Sequence, residues 1–487
     1  MPGMFLRAGA LSLALLVASR LLGLLRESAQ AAAFGASGQG DVAVLMLALP
    51  DWLAGVLASG ALAYVLLPAW ARQGAAQVAH MQRRVAVALL AIGCALGLLL
   101  ALGRLPALDW LASGLNPALR PGAAQALVWS ALGVPLALLA ALWTTRLQHE
   151  GEFVGMYAAN LVVNGALIVT LLVVAGAQSL VGLGIGLIVA MALRLGWLWG
   201  RMRRVCPHPN APPKGEGVVM PRISVWVWAA LAAGLPLALP FAARSISSQS
   251  GEGALATFNY AWKLVELPLM LAIQLVATLA FPAIARAVAS GDGDASAPLR
   301  SGFALAWTLA CAAAAGLLVA APAAAQVLFG WGRMQPDALV RVAQWGRIGA
   351  WGLLPQALIA VGLTVLAARG RMHAAVLAYA LALGTLLAAG HAGLADGASL
   401  MLLMNALLGG VAVVVLAALG RDLRTGMPWR ALAVAGGGLI VVAVLSRTVG
   451  PLGGGVAVQL AAAVVAALAV IALAAGLSRD VRAALRR

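Results

Sequence analysis

Charged side chains of the types that bind anions interrupt the first long apolar segment of the chain. Arg20, Arg26 and Glu27 lie at its far end, in a chain that is 63% hydrophobic. A charged residue at the centre of a bilayer costs roughly 2.5–3.5 kcal/mol on insertion scales. Helical spacing puts Arg20, Gly23 and Glu27 on one face. The pattern predicts that this face turns towards protein or water. The alternative is that the charges mark the end of the span and reach the lipid headgroups.

A second group of charges lies near the middle of the chain. Lys263 and Glu266 are one helical turn apart in an apolar segment, so they can form an ion pair that either faces a cavity or is simply structural. Arg244, in the preceding segment, either faces a cavity or ends its helix at the outer interface. Asp41 opens the second apolar segment. As a helix N-cap Asp41 needs no other function, although a position near the first-segment arginines would suit a gate.

Together these side chains could hold a phosphate-bearing anion. Arginine presents a planar fork of donors that matches phosphate oxygens. The acids could hold the cations when no substrate is present. The candidate substrate-binding residues are Arg20, Arg26, Arg244 and Lys263, and the candidate gating or charge-balancing residues are Glu27, Asp41 and Glu266.

Other polar residues in apolar segments have simpler explanations. Arg194 is near the inner end of its segment, and we expect its guanidinium to reach the headgroups. Asn160 and Asn164 are one turn apart. Hydrogen bonding between helices accounts for this asparagine pair as well as a functional role does.

Enzymatic chemistry is not indicated by the sequence. The chain has no Gly-x-x-x-x-Gly-Lys phosphate loop. None of its five histidines pairs with a cysteine or a second histidine at ligand spacing, and its three cysteines are scattered. We therefore expect no enzyme activity, no metal and no cofactor. Transport would be driven by the membrane potential or a monovalent-ion gradient, or it would run downhill.

The composition is typical of a helical membrane protein. Only 10% of the 487 residues are charged, and the mean hydropathy is +0.98. An all-α polytopic membrane protein has such values, whereas a soluble protein of this length does not. About fourteen runs of spanning length are predicted. They are 5–25, 42–68, 85–103, 123–147, 154–176, 180–200, 224–248, 258–285, 303–327, 344–368, 373–391, 397–419, 431–449 and 455–477.

Basic residues outside these runs predict the orientation. With the N-terminus in the cytoplasm, 21 basic residues fall on the inner side and six on or near the outer side. The positive-inside rule then predicts cytoplasmic N- and C-termini and an even number of spans. It also accounts for the formal net charge of +17, so no nucleic-acid partner is expected.

A basic, proline-rich loop divides the chain into two lobes. We predict an N-terminal lobe of six spans at 1–200, a cytoplasmic linker at 201–223, a C-terminal lobe of six spans at 224–420, and two extra spans with a basic tail at 421–487. An internal echo supports this division, because Pro68 to Arg72 reads Pro-Ala-Trp-Ala-Arg and Pro282 to Arg286 reads Pro-Ala-Ile-Ala-Arg. A parallel repeat would produce such an echo, and the charged candidates would then meet at a central cleft.

Short motifs are spread along the chain. They are Ser19-Arg20-x-Leu22-Gly23-x-x-Arg26-Glu27, Ala33-Phe34-Gly35, Asp41, Leu49-Pro50, Ser59-Gly60-Ala61, Gly151-Glu152-Phe153, Trp262-Lys263-Leu264-Val265-Glu266-Leu267-Pro268, Leu328-Phe329-Gly330 and Ala368-Arg369-Gly370. With these motifs and fourteen spans, the chain resembles the MurJ/MviN family over nearly its whole length. Members of that family are the lipid II flippases of the MOP exporter superfamily.

The resemblance implies a carrier that moves an undecaprenyl-diphosphate-linked precursor from the inner to the outer leaflet of the bacterial inner membrane by alternating access. It implies that Arg20, Arg26, Asp41, Lys263 and Glu266 line a central cavity, and that the last two spans form a groove for the lipid tail. The implied partners are the lipid-linked diphosphate saccharide, membrane lipids and cell-wall synthesis proteins.

Two positions depart from the family pattern. Ala54 stands where the family usually has an arginine, and Trp262-Lys263 stands where it has Asp-Arg. Lysine keeps the charge but lacks the planar fork. Three alternatives therefore stay open: a flippase for another lipid-linked oligosaccharide, an ion-coupled multidrug-type exporter, and a membrane scaffold that does not transport.

Overall fold

The structure, a computed structural model, describes residues 2–205, 220–274, 276, 284, 296–449 and 453–485. Over these ranges the chain forms helices and no strand, so the predicted all-α fold is confirmed. Backbone packing divides the chain into two compact units, residues 1–256 and 257–487.

The first unit is built from long apolar helices rich in leucine, alanine and valine. They are α1 (Pro2–Phe34), α2 (Gly38–Val56), α3 (Leu62–Trp70), α4 (Ala75–Leu102), α5 (Arg104–Leu111), α6 (Arg120–His149), α7 (Phe153–Val174), α8 (Leu180–Val205) and α9 (Ile223–Ser247). The next helix, α10 (Ala254–Pro268), begins at the boundary between the two units.

The second unit is arranged around one long helix, α11 (Ser296–Phe329). The helices after it are α12 (Pro336–Ala350), α13 (Leu353–Ala368), α14 (His373–His391), α15 (Gly397–Leu419), α16 (Arg421–Gly426), α17 (Trp429–Thr448), α18 (Val456–Leu477) and α19 (Arg479–Leu485). Both α17 and α18 pack on α11. Trp307 Nε1 donates to the Leu432 carbonyl at 3.1 Å, which ties α11 to α17.

Ten described helices are long and apolar enough to cross a membrane, or eleven if one bent pair is counted as a span. That pair is α12 and α13, which meet at 48° where the sequence predicts one span at 344–368. Asn405 Nδ2 donates to the Ile348 carbonyl at 2.7 Å and so ties the end of α12 to α15 next to the break. The count of fourteen spans stays a prediction.

Part of the predicted organisation lies outside the described residues. Residues 206–219 of the predicted linker and most of the second half of the echo, at 282–286, belong to this part. The division into two six-span lobes therefore stays a prediction. Within the first unit, α9 packs against α2 and α3.

The predicted spans two and eight each contain a π-helical turn that was not predicted from the sequence. A π-helical turn at Leu57–Ala61 joins α2 to α3, and another at Leu269–Ile273 follows α10. The two turns are 212 residues apart, close to the 214-residue spacing of the echo. Single π-helical turns inside α-helices are frequent at functional sites.

Close packing of α4 on α6 depends on two glycines spaced as Gly-x-x-x-Gly. A Cβ on Gly93 would lie 2.7 Å from Pro135 Cα, and a Cβ on Gly97 would lie 2.6 Å from the Ala131 carbonyl oxygen. Small residues at this spacing let two helix backbones approach each other inside lipid.

Gly97→Ala should destabilise the protein by about 1–3 kcal/mol, because the new methyl group would press on backbone that cannot move aside. The matched control is Gly165→Ala in α7, where an added Cβ meets nothing within 4 Å. We expect the control to be neutral or slightly stabilising. Thermal unfolding in detergent, followed by circular dichroism, measures both variants, and equal midpoints for the two would contradict this account of the contact.

Candidate functional site

A buried ion-pair cluster surrounds Arg26 in the first unit. Its Nη2 lies 2.7 Å from Glu27 Oε1, and its Nη1 lies 2.7 Å from Asp51 Oδ2. The side chains of Arg26 and Glu27 are 10% and 7% exposed, whereas that of Asp51 is 39% exposed. One guanidinium thus bridges a deeply buried carboxylate and a more accessible one.

Two helices position these groups. Arg26 and Glu27 are neighbours in α1, and Asp51 follows Pro50 in α2. Pro50 is buried against α6, where a Cβ on Gly133 would lie 3.4 Å from the proline ring. This contact fixes the stretch of α2 that presents Asp51 to Arg26.

Arg194 belongs to the same charged region, contrary to the prediction from sequence. We expected its side chain to reach the headgroups, but the residue is only 7% exposed. It is the fifteenth of the 26 residues of α8, and its side chain is enclosed by the first unit and does not lie at the surface. The Asp51 carboxylate interacts with it electrostatically, and α2 packs on α8.

The predicted face of α1 turns partly towards α7. A Cβ on Gly23 would lie 3.7 Å from Asn164 Nδ2, and Arg20 interacts electrostatically with Tyr157. Glu27 is buried, as expected for this face, whereas Arg20 is exposed. Asn164 therefore lies at the interface between α1 and α7.

Asp41 makes its hydrogen bonds to the start of a distant helix. Its carboxylate accepts from the backbone N–H of Gly253 at 2.8 Å and of Ala256 at 2.7 Å, and so caps the N-terminus of α10. It does not cap its own helix, because the Ser37 side chain accepts from Gly40 N at the start of α2. Asp41 is 3% exposed.

The loop at the start of α2 and the loop at the start of α10 each accept hydrogen bonds from the other. Glu252 Oε1 accepts from Gly38 N at 3.1 Å. Gly253 has a left-handed φ of +77°, and a Cβ there would lie 2.1 Å from the Ala36 carbonyl oxygen. Each loop thus offers a carboxylate to backbone N–H groups of the other, and the close approach requires a glycine.

Arg244 lies near the end of α9. Its guanidinium carbon is 5.4 Å from the centre of the Phe241 ring. The residue is half-buried and lines a small cleft with Val44, Ala48 and other apolar residues of the first unit.

In the second unit, Lys263 Nζ lies 2.7 Å from Glu266 Oε2, so the predicted pairing within α10 is confirmed. Their side chains are 24% and 30% exposed. The pair is thus accessible on one side, unlike Arg26 and Glu27.

Sequence reasoning missed Asp51, Arg194 and Glu252. An acid directly after the proline of span two was a signal for Asp51. The repeated Ser-Gly-x-Gly of 37–40 and 250–253 was a signal for the paired loops. For Arg194 the only signal was a single charge near the inner end of an apolar run, and that position is equally typical of a residue that reaches the headgroups.

The arrangement suits ion exchange rather than covalent chemistry. In the part of the chain that the structure describes, no group of three His, Cys, Asp or Glu side chains is placed to hold a metal ion. Buried guanidinium groups with carboxylate partners can release a carboxylate in favour of another oxyanion.

Replacing Arg26 with Gln should destabilise the protein by about 3–5 kcal/mol, because a buried ion pair loses one partner and its carboxylates stay behind without compensation. The matched control is Arg120→Gln. Arg120 pairs with Asp109 at the surface, where the side chains are 31% and 59% exposed, and such pairs contribute about 0–1 kcal/mol. Unfolding midpoints of the purified variants measure the difference, and similar losses in both would show that the Arg26 pairs are ordinary surface pairs.

Comparison with known proteins gives the same family along most of the chain. A family model described as "Lipid II flippase MurJ" matches residues 30–478. No curated protein matches the chain in sequence.

Solved structures share the fold. A lipid II flippase MurJ in an inward closed conformation superposes with a TM-score of 0.76 at 12% identity, covering 94% of this chain and 97% of that one. An inward-facing MATE-family multidrug resistance transporter of the MOP superfamily gives 0.60 at 16% identity, covering 89% and 100%. An outward-facing MATE structure gives 0.58 at 15% identity, covering 85% and 95%. At these identities the likeness is one of fold.

Proposed function

The chain belongs to the MurJ family of lipid II flippases, and on that premise we propose that Arg26 is its principal contact to the diphosphate of lipid II. The observation that carries this assignment is a guanidinium with 10% exposure, held by two carboxylates in an apolar helix bundle. Arginine binds phosphate oxygens in the same planar, two-pronged geometry as carboxylate oxygens. A phosphate can therefore take the place of a carboxylate without moving the arginine.

The other candidate cations are also substrate-binding residues in our proposal. Arg20 and Arg244 in the first unit, and Lys263 in the second, would attract the negatively charged diphosphate. Glu27 and Glu266 hold Arg26 and Lys263 while the protein is empty, as their 2.7 Å contacts indicate. Removing either acid would leave a cation in apolar surroundings without compensation, which is costly.

Asp41 acts in this mechanism as an outer gate and not as a substrate ligand. Its carboxylate already accepts two backbone N–H groups at the start of α10. Hydrogen bonds to a charged group contribute about 1.5–3 kcal/mol each. We infer that the paired loops at 37–41 and 250–254 close the outer side and must separate before lipid II is released.

The proposed location is the bacterial inner membrane, with both termini in the cytoplasm. Lipid II carries negative charge on its diphosphate, and an inside-negative potential favours moving negative charge outwards. The gain is about 2.3 kcal/mol per elementary charge for each 100 mV. The membrane potential could therefore drive the transport without a cofactor, and coupling to a monovalent ion is the alternative.

The ion pairs of the buried Arg26 also help to distinguish the proposed function from its alternatives. A multidrug-type exporter of organic cations would need acids that are not already neutralised, whereas Glu27 and Asp51 both pair with Arg26. A different diphosphate-linked saccharide would fit the same charges, because they recognise the diphosphate and not the glycan. Cell-wall synthesis proteins are proposed partners on the basis of the family.

Rescue of cells depleted of their essential lipid II flippase tests the proposal. Wild-type protein should restore growth, and Arg26→Ala or Arg20→Ala should abolish or strongly reduce it. Arg26→Lys keeps the charge but loses the fork, so we expect normal expression with reduced rescue. Arg120→Ala is the matched surface control. Unchanged flipping of labelled lipid II in proteoliposomes by Arg26→Ala, at normal expression, would refute the assignment.

The outer gate predicts a change in accessibility. In a background with Cys94, Cys206 and Cys311 replaced by alanine, a cysteine introduced by Ser248→Cys reports on a position that is 2% exposed. Asp41→Ala should raise its labelling by a membrane-impermeant maleimide in whole cells at least about tenfold, since tenfold corresponds to about 1.4 kcal/mol. Asp109→Ala, which removes an exposed acid, should leave the rate unchanged. Equal labelling in the Asp41 variant and its parent would rule out the gate.

A further inference from the structure

Asp51 is associated with two buried arginines that lie on different helices, with one as an ion-pair partner and with the other through an electrostatic interaction. Its Oδ2 is 2.7 Å from Arg26 Nη1, and it interacts electrostatically with Arg194. Arg26 and Arg194 are 8% and 7% exposed, whereas 39% of the Asp51 side chain is exposed. Because Asp51 is more exposed than either arginine, its carboxylate is the member of this group that can separate from the others.

Asp51 and Arg194 lie at comparable depth along their helices, and Arg26 lies nearer to the end of its own helix. At 1.5 Å per residue, Arg26 is roughly 12 Å before the end of α1 at Phe34. Asp51 is roughly 20 Å from the start of α2, and Arg194 roughly 21 Å from the start of α8. These ends of α1, α2 and α8 lie on the same side if successive spans alternate in direction.

Charge balance explains why an acid occupies this position. Arg26, Arg194, Glu27 and Asp51 sum to zero, so the empty cluster needs no bound counter-ion. Without Asp51, the two buried guanidinium groups would share a single carboxylate, and buried charge without a partner is strongly destabilising. Nε of both arginines makes no hydrogen bond, which leaves donors for a larger oxyanion.

We propose that Asp51 is a placeholder for the diphosphate, and that Arg194 is a second phosphate-binding residue facing Arg26. The inference rests on the proposed function and adds to it a residue and an order of events. The diphosphate enters from the exposed side of Asp51, displaces its carboxylate, and binds Arg26 through one phosphate and Arg194 through the other. A monophosphate can engage only one of the two arginines, so Arg194 selects for diphosphates.

Binding of undecaprenyl diphosphate and undecaprenyl monophosphate to the full-length protein in detergent tests this. For Arg194→Gln we expect about tenfold weaker binding of the diphosphate and about twofold or less for the monophosphate, since each lost charged hydrogen bond corresponds to roughly tenfold. For Asp51→Asn we expect the opposite sign, namely about tenfold tighter diphosphate binding together with a lower unfolding midpoint of the empty protein. Asp109→Asn is the control at an exposed acid.

The double variant Asp51→Asn with Arg194→Gln guards against misfolding, because it removes one charge of each sign and leaves the cluster neutral. We expect it to fold and to lack the preference for diphosphate. Wild-type preference in the double variant or in Arg194→Gln would overturn the role of Arg194. Weaker diphosphate binding by Asp51→Asn would overturn the placeholder.

Failure of the proposed function would give a different result in the same binding measurements. If wild-type protein bound neither lipid, or if Arg26→Gln bound both as well as wild type does, the diphosphate assignment itself would fall. If Arg26→Gln lost binding while Arg194→Gln matched wild type, only the second arginine would be withdrawn.

Discussion

A buried guanidinium in an apolar helix bundle must have anionic partners, and this requirement organises the first unit. Arg26 meets it with Glu27 from its own helix and Asp51 from α2, each at 2.7 Å. The partners have to be brought to the arginine by packing, which the contact of Pro50 with α6 provides. Removing any one member leaves charge in a medium where isolated charge is expensive. The helices are thereby constrained by their few polar residues as much as by their many apolar ones.

Small residues and helix irregularities let the bundle satisfy that constraint. The Gly-x-x-x-Gly of α4 brings its backbone against α6. The π-helical turns at Leu57–Ala61 and Leu269–Ile273 interrupt spans two and eight, which also carry Asp51 and the Lys263–Glu266 pair. The break between α12 and α13 is stabilised by Asn405. Irregular backbone is tolerated at membrane depth where protein groups satisfy it.

The sequence predicted the features that depend on one helix at a time. Helical spacing was enough for the Lys263–Glu266 pair, and hydropathy was enough for the all-α fold. Contacts between helices were not predictable in this way. Arg194 has the local surroundings of a snorkelling residue, and only the three-dimensional structure shows that it is buried in a helix that packs on α2. Asp41 looked like a cap of its own helix, yet it caps α10, more than 200 residues further along the chain.

The reciprocal contact of the two Ser-Gly-x-Gly loops makes their order interdependent. Each loop supplies a carboxylate to the other's backbone, through Asp41 in one direction and Glu252 in the other. The two acids occupy different places, since Asp41 directly follows its motif and Glu252 lies within its own. Loosening either loop therefore removes hydrogen bonds from both, so the two loops are expected to gain or lose their order as one cooperative element.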